Sequence, residues 1–531
     1  MSMELKNIPS QNQDDKSFKG IEKSDSYDSS VQDADVVAAE SAKPVARLER
    51  YLGLLPMISF YMTSTASWEA IGASFQACLT NGGPVVIVYG IIFAFAGSMG
   101  IACSLAELAS ILPIPGAQYH WTYELAPRGK RFWSFLQGWL TIISWWADAA
   151  TSPNLIGTEI QALIILCHDS YVPKGWHATM LIWAVTLVPL FGNIYGRKLL
   201  KPIEMFGGIL HVVLLPVLMI VLTVLGEKNT SKWVWTEFIN DVSGWKNNGV
   251  IFSVGLLTAT FTLGGCDSVV HMAEEVKEPR KNIPRSMTWG LILNAVVTFG
   301  FSICLLYCMG DVNQVIGTKT GYPIIQILYN ITKSKAAACV MTCFFIFPGT
   351  IAFFNGLASV SRLTWAFARD EGLPFSSFFA QVSPRHKIPL RALYLVCALI
   401  ALIALINIGS QTAYTAVLSL ASVTHLVSYI IPIFFVLLKR IREPGTIEWG
   451  PFHMGRWGIP VNIWALCYSI YCAIFNVFPE IMPVTAANMN YAGPVLGFIC
   501  VLAMIDWFVR GRRNWQGPRV RIAITQRVKD L

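Results

Sequence analysis

Two adjacent glycines and a carboxylate stand out in an otherwise apolar stretch of this sequence. Gly264 and Gly265 lie just before Asp267, with apolar residues on both sides. Paired glycines beside a carboxylate predict a helix that breaks and exposes its backbone groups. If the stretch lies in a membrane, such a polar group is costly to bury, and it marks a candidate binding site. The structural alternative is a close-packed glycine interface with Asp267 hydrogen-bonded inside the protein.

A second polar cluster interrupts the first apolar stretch of the chain. Its residues are Thr63-Ser64-Thr65-Ala66-Ser67-Trp68-Glu69. Hydroxyl side chains satisfy the backbone groups that are freed where a helix unwinds. Interrupted helices in the first and sixth segments are what an inverted five-helix repeat places face to face at a midplane site. Two polar helices packed through small residues are the alternative.

Further ionisable residues lie inside other apolar segments. Asp148 and Glu159 belong to the third and His211 to the fifth. Each either titrates during the protein's work or is a hydrogen-bonded group of the interior. The acids near segment ends, where pairing with loop residues is expected, are Glu107, Glu204 and Asp506.

The composition indicates which elements position these groups. Hydrophobic residues make up 54% of the chain and charged residues 14%, whereas about a quarter of the residues in soluble domains are charged. Twelve apolar runs are long enough to cross roughly 30 Å of hydrocarbon as helices. They lie near 52–79, 84–110, 133–166, 177–195, 202–226, 249–272, 286–310, 336–361, 390–408, 412–438, 459–479 and 491–510. The predicted fold class is an all-α integral membrane protein.

The basic residues predict the orientation. Most of the 40 Lys and Arg residues fall in loops on the same side as the N-terminal flank, and cytoplasmic loops carry such an excess. Both termini are therefore predicted to be cytoplasmic, with the sequons at Asn229 and Asn330 on the outer side. The predicted organisation is a disordered N-terminal tail at 1–48, a helical membrane domain at 49–511 and a C-terminal tail at 512–531. We expect no cleaved signal peptide.

Several functional classes lack their signatures. The sequence has no GxxxxGK[ST], HExxH or GxSxG motif, so we expect neither ATP-driven chemistry nor an enzyme. None of the 12 cysteines forms a CxxC pair, so no metal site, cofactor or disulfide framework is expected. No basic stripe interleaves with aromatic residues, and nucleic acid is not an expected partner. Secondary transport and a channel remain, because a membrane enzyme needs a cluster of metal ligands or a nucleophile with its base and the sequence shows neither.

Four motifs resemble those of the amino acid–polyamine–organocation superfamily, in its fungal branch of amino acid, GABA and choline permeases. They are PIPGAQYHW at 113–121, EEVKEPRKNIPR at 274–285, SRLTWAFARDEGLP at 361–374 and the Phe-Pro to Asn-Tyr region at 478–491. The resemblance covers about residues 45–520. It implies two inverted five-helix repeats plus two C-terminal helices.

The resemblance also implies a site between helices one and six, closed by helices three, eight and ten. The residues expected at the substrate are Thr65, Ser67, Glu69, Trp145, Asp148, Phe261, Thr262, Gly264, Gly265 and Asp267. The residues expected to gate the inner end are Glu274, Arg285, Arg362, Arg369 and Asp370.

This chain departs from the family pattern in the first helix. Similar transporters bind a substrate α-carboxylate there through a Gly-Ser-Gly turn, and the corresponding residues are Ser67, Trp68 and Glu69. Glu69 repels a carboxylate and attracts a cation, which favours amine substrates over α-amino acids. Similar proton-coupled members carry a lysine in helix five where this chain has His211. Since histidine titrates near neutral pH, His211 is the predicted proton-coupling residue.

We therefore expect a secondary active permease in the lipid bilayer that takes up amino acids or related amines with protons by alternating access. The alternative substrates are choline, GABA, polyamines and thiamine-type organic cations. A channel and a non-transporting nutrient receptor on the same fold are alternatives of other classes. The expected location is the plasma membrane, with the endoplasmic reticulum and the vacuole as alternatives.

Overall fold

A computed structural model describes residues 50–195, 200–409, 413–486 and 488–519. The predicted N-terminal tail and residues 520–531 of the predicted C-terminal tail lie outside this part of the chain. Over the described ranges the secondary structure is helical, with turns and two isolated backbone bridges and no strands. The all-α fold class predicted from the sequence is confirmed.

The helices follow the predicted order. Those of the first half are α1 Leu54–Thr65, α2 Ser67–Ser74, α3 Gly83–Ile111, α4 Gln118–Leu125, α5 Lys130–Cys167, α6 Gly175–Tyr195 and α7 Leu200–Leu225. Those of the second half are α8 Asn248–Thr262, α9 Pro279–Cys308, α10 Lys335–Arg369, α11 Leu390–Ala404, α12 Ala413–Arg442, α13 Gly458–Phe475 and α14 Ala492–Asp506. Shorter helices connect them at Gln76–Thr80, Ser231–Thr236, Val312–Ile316, Pro323–Thr332, Ser376–Phe379 and Ile406–Gly409.

Nine helices in the described part of the chain are long and apolar enough to cross a membrane. They match nine of the twelve predicted spans. The other three spans are α1 with α2, which a break divides, α8, which has only 15 residues, and α5, which is 38 residues long. α5 carries Asp148 and Glu159 along its length. The three predicted spans that do not meet this criterion of length and apolarity are therefore those that contain most of the candidate site residues.

Two helices extend beyond their predicted limits. α9 begins at Pro279, where proline is favourable because its fixed φ suits the first helical turn. α10 continues to Arg369, beyond the expected end at 361. Arg362 and Arg369 consequently lie on this helix rather than in a loop below it.

The two halves pack on each other through corresponding helices. α3, the second span of the first half, packs against α9, and α5 packs against α10. Close approach depends on small residues, as is usual between membrane helices. A Cβ at Gly290 would lie 2.3 Å from Cδ1 of Tyr61, and a Cβ at Gly138 would lie 2.2 Å from Cε2 of Phe367. α3 and α9 are the second and seventh spans, and α5 and α10 are the third and eighth, so each pair joins positions that two five-helix repeats relate to each other.

The apolar surface suits a lipid environment. Only 11% of the most apolar window around α14 and 22% of that in α7 is buried inside the protein. Large apolar side chains such as Val224 and Phe508 are exposed there. Patches of this kind are rare on soluble monomers and mark contact with another apolar phase, here the acyl chains of the bilayer.

Candidate functional site

The first span is broken at one residue. α1 ends at Thr65, Ala66 has φ 40° and ψ 53°, and α2 begins at Ser67. A left-handed conformation is unusual for alanine and costs free energy, which makes it a marker of function. The break lies slightly before the predicted turn at Ser67, Trp68 and Glu69, so these residues form the first turn of α2.

The sixth span is broken at the predicted glycines. α8 ends at Thr262, Gly265 has φ 70°, and the chain resumes as a 3₁₀ helix at Val270–Glu275. Glycine adopts this φ without the steric cost that a side chain would add. The two breaks meet where the hydroxyls of Ser64 and Ser268 lie 3.3 Å apart.

A cavity of about 100 Å³ lies at the breaks, bounded by α1, α2, α5, α8, α10 and α12. The predicted site residues that line it are Thr65, Glu69, Trp145, Asp148, Phe261, Gly264 and Gly265. The structure thus brings together residues of three spans that are far apart in sequence. Inverted-repeat carriers likewise bind their substrates where two discontinuous helices are broken.

The cavity wall is acidic. Glu69, Asp148 and Glu159 all line it, together with His425, and its lining contains no Lys or Arg. Asp148 is half-buried, and its carboxylate forms no hydrogen bond or ion pair with the residues that the structure describes. Glu159 likewise leaves its buried Oε1 without a partner there. Carboxylates in a low-dielectric pocket attract a cation strongly, and Trp145 and Phe261 add faces suited to cation–π contact.

Glu69 and His211, predicted separately from the sequence, are bonded to each other. His211 Nδ1 lies 2.8 Å from Glu69 Oε1, and both side chains are buried. Trp68 covers the pair, and its Nε1 donates to the His211 carbonyl over 3.1 Å. Glu69 Oε2 and His211 Nε2 have no other partner among the described residues. The pair connects α2 to α7 and reaches the cavity through Glu69.

Asp267 lies outside the cavity lining and is saturated by protein donors. Its Oδ2 accepts from Gln118 Nε2 at 2.5 Å and from Trp145 Nε1 at 3.0 Å, and lies 3.1 Å from His271 Nε2. Its Oδ1 accepts from the Tyr429 hydroxyl at 2.5 Å. These donors belong to four different elements. The carboxylate is therefore a junction between cavity wall and neighbouring helices, as in the alternative considered from the sequence.

Two other predicted contact residues point away from the cavity. Ser67 Oγ donates to the Asn294 carbonyl of α9 over 3.3 Å. Thr262 Oγ1 donates to the Ala259 carbonyl over 3.2 Å. Both side chains satisfy backbone acceptors, so neither hydroxyl is part of the wall.

His425 on α12 is a site residue that the sequence reasoning missed. It lines the cavity, its Nδ1 lies 3.0 Å from the Ala421 carbonyl, and its ring packs edge-on to Trp145 at 4.8 Å. A carbonyl only accepts, so Nδ1 carries the hydrogen of this bond. The available signal was an ionisable residue inside the tenth apolar run.

We call the end of the bundle at which α1 begins, α3 ends and α9 begins its N-terminal end. Ion pairs join helix ends there. Arg362 Nε donates to Glu275 over 2.8 Å, and both side chains are buried. Arg369 donates to Glu274 over 2.7 Å. The Tyr51 hydroxyl also donates to Glu275, over 2.9 Å. The predicted gating residues Glu274, Arg362 and Arg369 are thus paired, and Glu275 joins them.

Asp370, just after α10, holds a second cluster at this end. It accepts from the Tyr119 hydroxyl at 2.7 Å, from the Arg519 backbone at 3.2 Å, and lies 3.0 Å from His120 Nε2. Burial acts to raise the pKa of Asp370, but the hydrogen bond and charge of His120 and the charge of Arg369 outweigh it and hold the pKa below its usual value.

Arg285 and Trp515 differ from the sequence prediction. Arg285, the remaining predicted gating residue, is exposed, and its guanidinium has no partner in the part of the chain that the structure describes. The first residues of the predicted C-terminal tail are packed: Trp515 is buried, and its carbonyl accepts from Arg131 Nε over 2.7 Å.

Over the described ranges no group of three or more metal-binding side chains is assembled.

Comparison with known proteins agrees with this architecture. The amino acid permease family model matches residues 52–501. The choline transporter of Saccharomyces cerevisiae is 32% identical over 490 residues, covering 91% of this chain and 86% of that protein. Amino-acid permease 2 of Neurospora crassa is 30% identical, covering 87% and 84%. The GABA-specific permease of Saccharomyces cerevisiae is 27% identical, covering 83% and 78%.

These relatives are permeases and transporters rather than enzymes, and the fold, the broken helices and the cavity at their breaks fit that activity. The chain therefore belongs to the amino acid permease family of the amino acid–polyamine–organocation superfamily, and it is a membrane transporter for amino acids or amines.

Proposed function

We propose that the substrate is a small organic cation, an amine or quaternary ammonium compound, taken up together with protons. The observation that carries this proposal is the acidic cavity, in which Asp148 faces the space without a partner among the described residues. A substrate ammonium group at Asp148 would supply the missing counter-charge. The aromatic faces of Trp145 and Phe261 suit the alkyl or methyl groups around such a nitrogen.

The same cavity disfavours the carboxylate of an α-amino acid. Glu69 lines the wall in the first turn of α2, beside the break where a carboxylate would otherwise meet free backbone N–H groups. A second carboxylate brought close to Glu69 and Asp148 is repelled in a medium of low dielectric constant. The similarity to a protein named choline transporter supports the same class of substrate.

Transport proceeds by alternating access around the cavity. We propose that the N-terminal end of the bundle faces the cytoplasm of a plasma-membrane carrier, because the loops at this end hold most of the Lys and Arg residues. The Arg362–Glu275 and Arg369–Glu274 pairs then form the inner gate. Breaking them while α1 and the 3₁₀ segment after α8 pivot at Ala66 and Gly265 would open the cavity inward.

His211 is the proposed proton-coupling residue at the cavity. A proton on its imidazole forms an ion pair with Glu69, whereas the neutral ring leaves the charge of Glu69 uncompensated. The protonation state of His211 therefore sets how much negative charge the cavity presents. Histidine suits this role since its charge changes near physiological pH.

Uptake of a labelled panel tests the proposal. Transporter-deficient yeast expressing the chain is given amino acids, GABA, choline, polyamines and thiamine, each with and without a proton uncoupler. We expect uncoupler-sensitive uptake of one or more cations, with zwitterions competing weakly. Uptake restricted to zwitterionic amino acids would overturn the proposed substrate class. Saturable binding without flux into proteoliposomes would instead indicate a receptor.

A further inference from the structure

Glu204 is buried at the junction of three helices, away from the cavity. It lies on α7, its side chain is inaccessible to solvent, and its Oε2 accepts from Thr63 Oγ1 of α1 at 3.1 Å. The same oxygen accepts from Asn355 Nδ2 of α10 at 2.8 Å. The sequence suggested a residue near a segment end that pairs with a loop, but the structure places Glu204 in the interior between α1, α7 and α10.

No positive charge compensates this carboxyl among the described residues. α1 presents the Thr63 hydroxyl to it and α10 presents the Asn355 amide, whereas the Ser59 hydroxyl of α1 donates to the Glu204 backbone carbonyl. α9 also packs on α7 but brings no described acid or base to Glu204. On α7 itself, Lys201 is exposed and His211 is bonded to Glu69. An ionised carboxylate in such surroundings is very costly, so the group requires a proton or a bound cation.

Two unpartnered oxygens indicate which of these it takes. Oε1 of Glu204 and Oδ1 of Asn355 are both buried and without a hydrogen-bond partner in the described structure. A carboxylic acid and a primary amide bond at two points: the amide N–H donates to the acid carbonyl, and the acid O–H donates to the amide carbonyl. The first of these bonds is the one between Asn355 Nδ2 and Glu204 Oε2. One proton on Oε1 that formed the second bond would satisfy both unpartnered atoms.

We propose that Glu204 and Asn355 form a proton-binding site, in which the acid O–H of Glu204 donates to Oδ1 of Asn355, and that this proton is carried during transport. The proposal rests on the proton coupling proposed above and adds a site separate from His211. Loss of the proton leaves a negatively charged carboxylate oxygen of Glu204 beside the amide oxygen of Asn355. The two oxygens repel each other, which weakens the contact between α7 and α10. Thr63, bonded to both residues, passes this change to α1 just before the break at Ala66.

The separation from the cavity matters for a cationic substrate. A proton that bound to Asp148 or Glu69 would cancel the charge that attracts the substrate, and the two would compete. Neither Glu204 nor Asn355 lines the cavity. A proton held there and a cation held in the cavity are therefore able to occupy the protein together, as symport requires.

Infrared spectroscopy of the purified full-length protein tests the site without any substrate. The difference spectrum of wild type minus Glu204→Gln should contain the carbonyl stretch of a protonated carboxylic acid at neutral pH, and Asn355→Leu should shift it. Absence of this band in wild type would overturn the proposal. This readout stands even if the substrate panel fails, so failure of the proposed function is distinguishable from failure of the site.

Transport by Glu204→Gln in proteoliposomes tests the coupling. Glutamine forms the same two-point contact with Asn355 but releases no proton, so the variant should fold and exchange internal for external substrate. We expect exchange within about threefold of wild type and at least tenfold less accumulation driven by a pH gradient. Ser59→Ala, which removes a hydrogen bond to the Glu204 backbone carbonyl and leaves the contacts of the carboxyl in place, is the matched control and should keep gradient-driven accumulation. Accumulation by Glu204→Gln at the wild-type level, or accumulation that responds to the pH gradient as in wild type, would contradict a coupling proton here.

Discussion

Trp145 and Asp267 are joined by a hydrogen bond of 3.0 Å from the indole Nε1 to Oδ2. Trp145 forms part of the cavity wall, whereas the same oxygen of Asp267 accepts from Gln118 on α4, at the N-terminal end of the bundle. A substrate that displaces the indole therefore also disturbs the packing of α4. The bond provides a direct mechanical path from an occupied cavity to the proposed inner gate.

Asp267→Ala should abolish uptake, and less protein should reach the membrane because four buried side chains lose their shared partner. The variant loses acceptors for four donors, and each hydrogen bond to a charged group contributes about 1.5–3 kcal/mol. Because the carboxylate does not line the cavity, equilibrium binding of substrate to the purified variant should change much less than turnover. Binding lost in proportion to uptake would mean that Asp267 contacts the substrate directly.

Asp148→Asn should selectively weaken the binding of cationic substrates. The amide keeps the shape of the side chain but removes the unpaired negative charge at the wall, and we expect KM for a cation to rise by about tenfold, equivalent to about 1.4 kcal/mol. Ser152→Ala, one turn away in the same wall, is the control and should leave KM nearly unchanged. Equal effects of Asp148→Asn on cations and zwitterions would contradict the charge role.

The Glu69–His211 pair predicts linked effects on pH dependence. His211→Ala should weaken the dependence of uptake on pH, because the negative charge that Glu69 presents to the cavity no longer varies with the protonation of an imidazole. Glu69→Gln should lower the uptake of cations more than that of zwitterions. A second substitution at His211 should then have almost no further effect on uptake. Initial uptake rates between about pH 5 and 8, the window in which histidine titrates, are the measurement. Full pH dependence in His211→Ala would remove this residue as a coupling group.

The Arg362–Glu275 pair should behave as a buried ion pair. Arg362→Ala leaves Glu275 unpaired in the interior, and removal of one partner of such a pair costs about 3–5 kcal/mol. The double variant Arg362→Ala with Glu275→Gln should recover part of this loss, since no isolated charge remains. Thermal denaturation in detergent, followed by fluorescence-detected size exclusion, compares the variants. A double variant no more stable than the single one would show that the interaction is not mainly electrostatic.

Asp370 should stabilise the fold in a pH-dependent manner. The pKa of Asp370 is lower in the folded protein than its usual value, so its contribution is complete above the unfolded pKa of about 3.9. That contribution disappears as the pH falls through the folded value. Asp370→Asn should therefore be less stable than wild type at neutral pH, and the difference should narrow below about pH 4. A difference in melting temperature that stays constant on acidification would contradict this assignment.

The sequence predicted the breaks because their causes are local. Gly265 permits a positive φ, and the hydroxyls around Ala66 satisfy unwound backbone, so both interruptions are visible in the composition of the segments. The contacts between segments are not local. Nothing near Glu69 indicates His211, 142 positions along the chain, and nothing near Asp267 shows that Gln118 and Tyr429 would occupy its oxygens. His425 carried the signal of an ionisable residue inside an apolar run, but its sequence does not show that this face of α12 reaches the cavity.

The low hydrophobicity of α5 and the short length of α8, two helices that line the cavity, have a consequence for insertion into the membrane. The translocon inserts each segment largely according to its own hydrophobicity, and acidic residues near a helix centre oppose insertion. α5, with Asp148 and Glu159, and the short α8 therefore depend on helices already in the bilayer to accept them. Replacing Asp148 or Glu159 by leucine should raise the yield of inserted protein while removing the charge that the substrate needs, which is the usual trade between stability and activity.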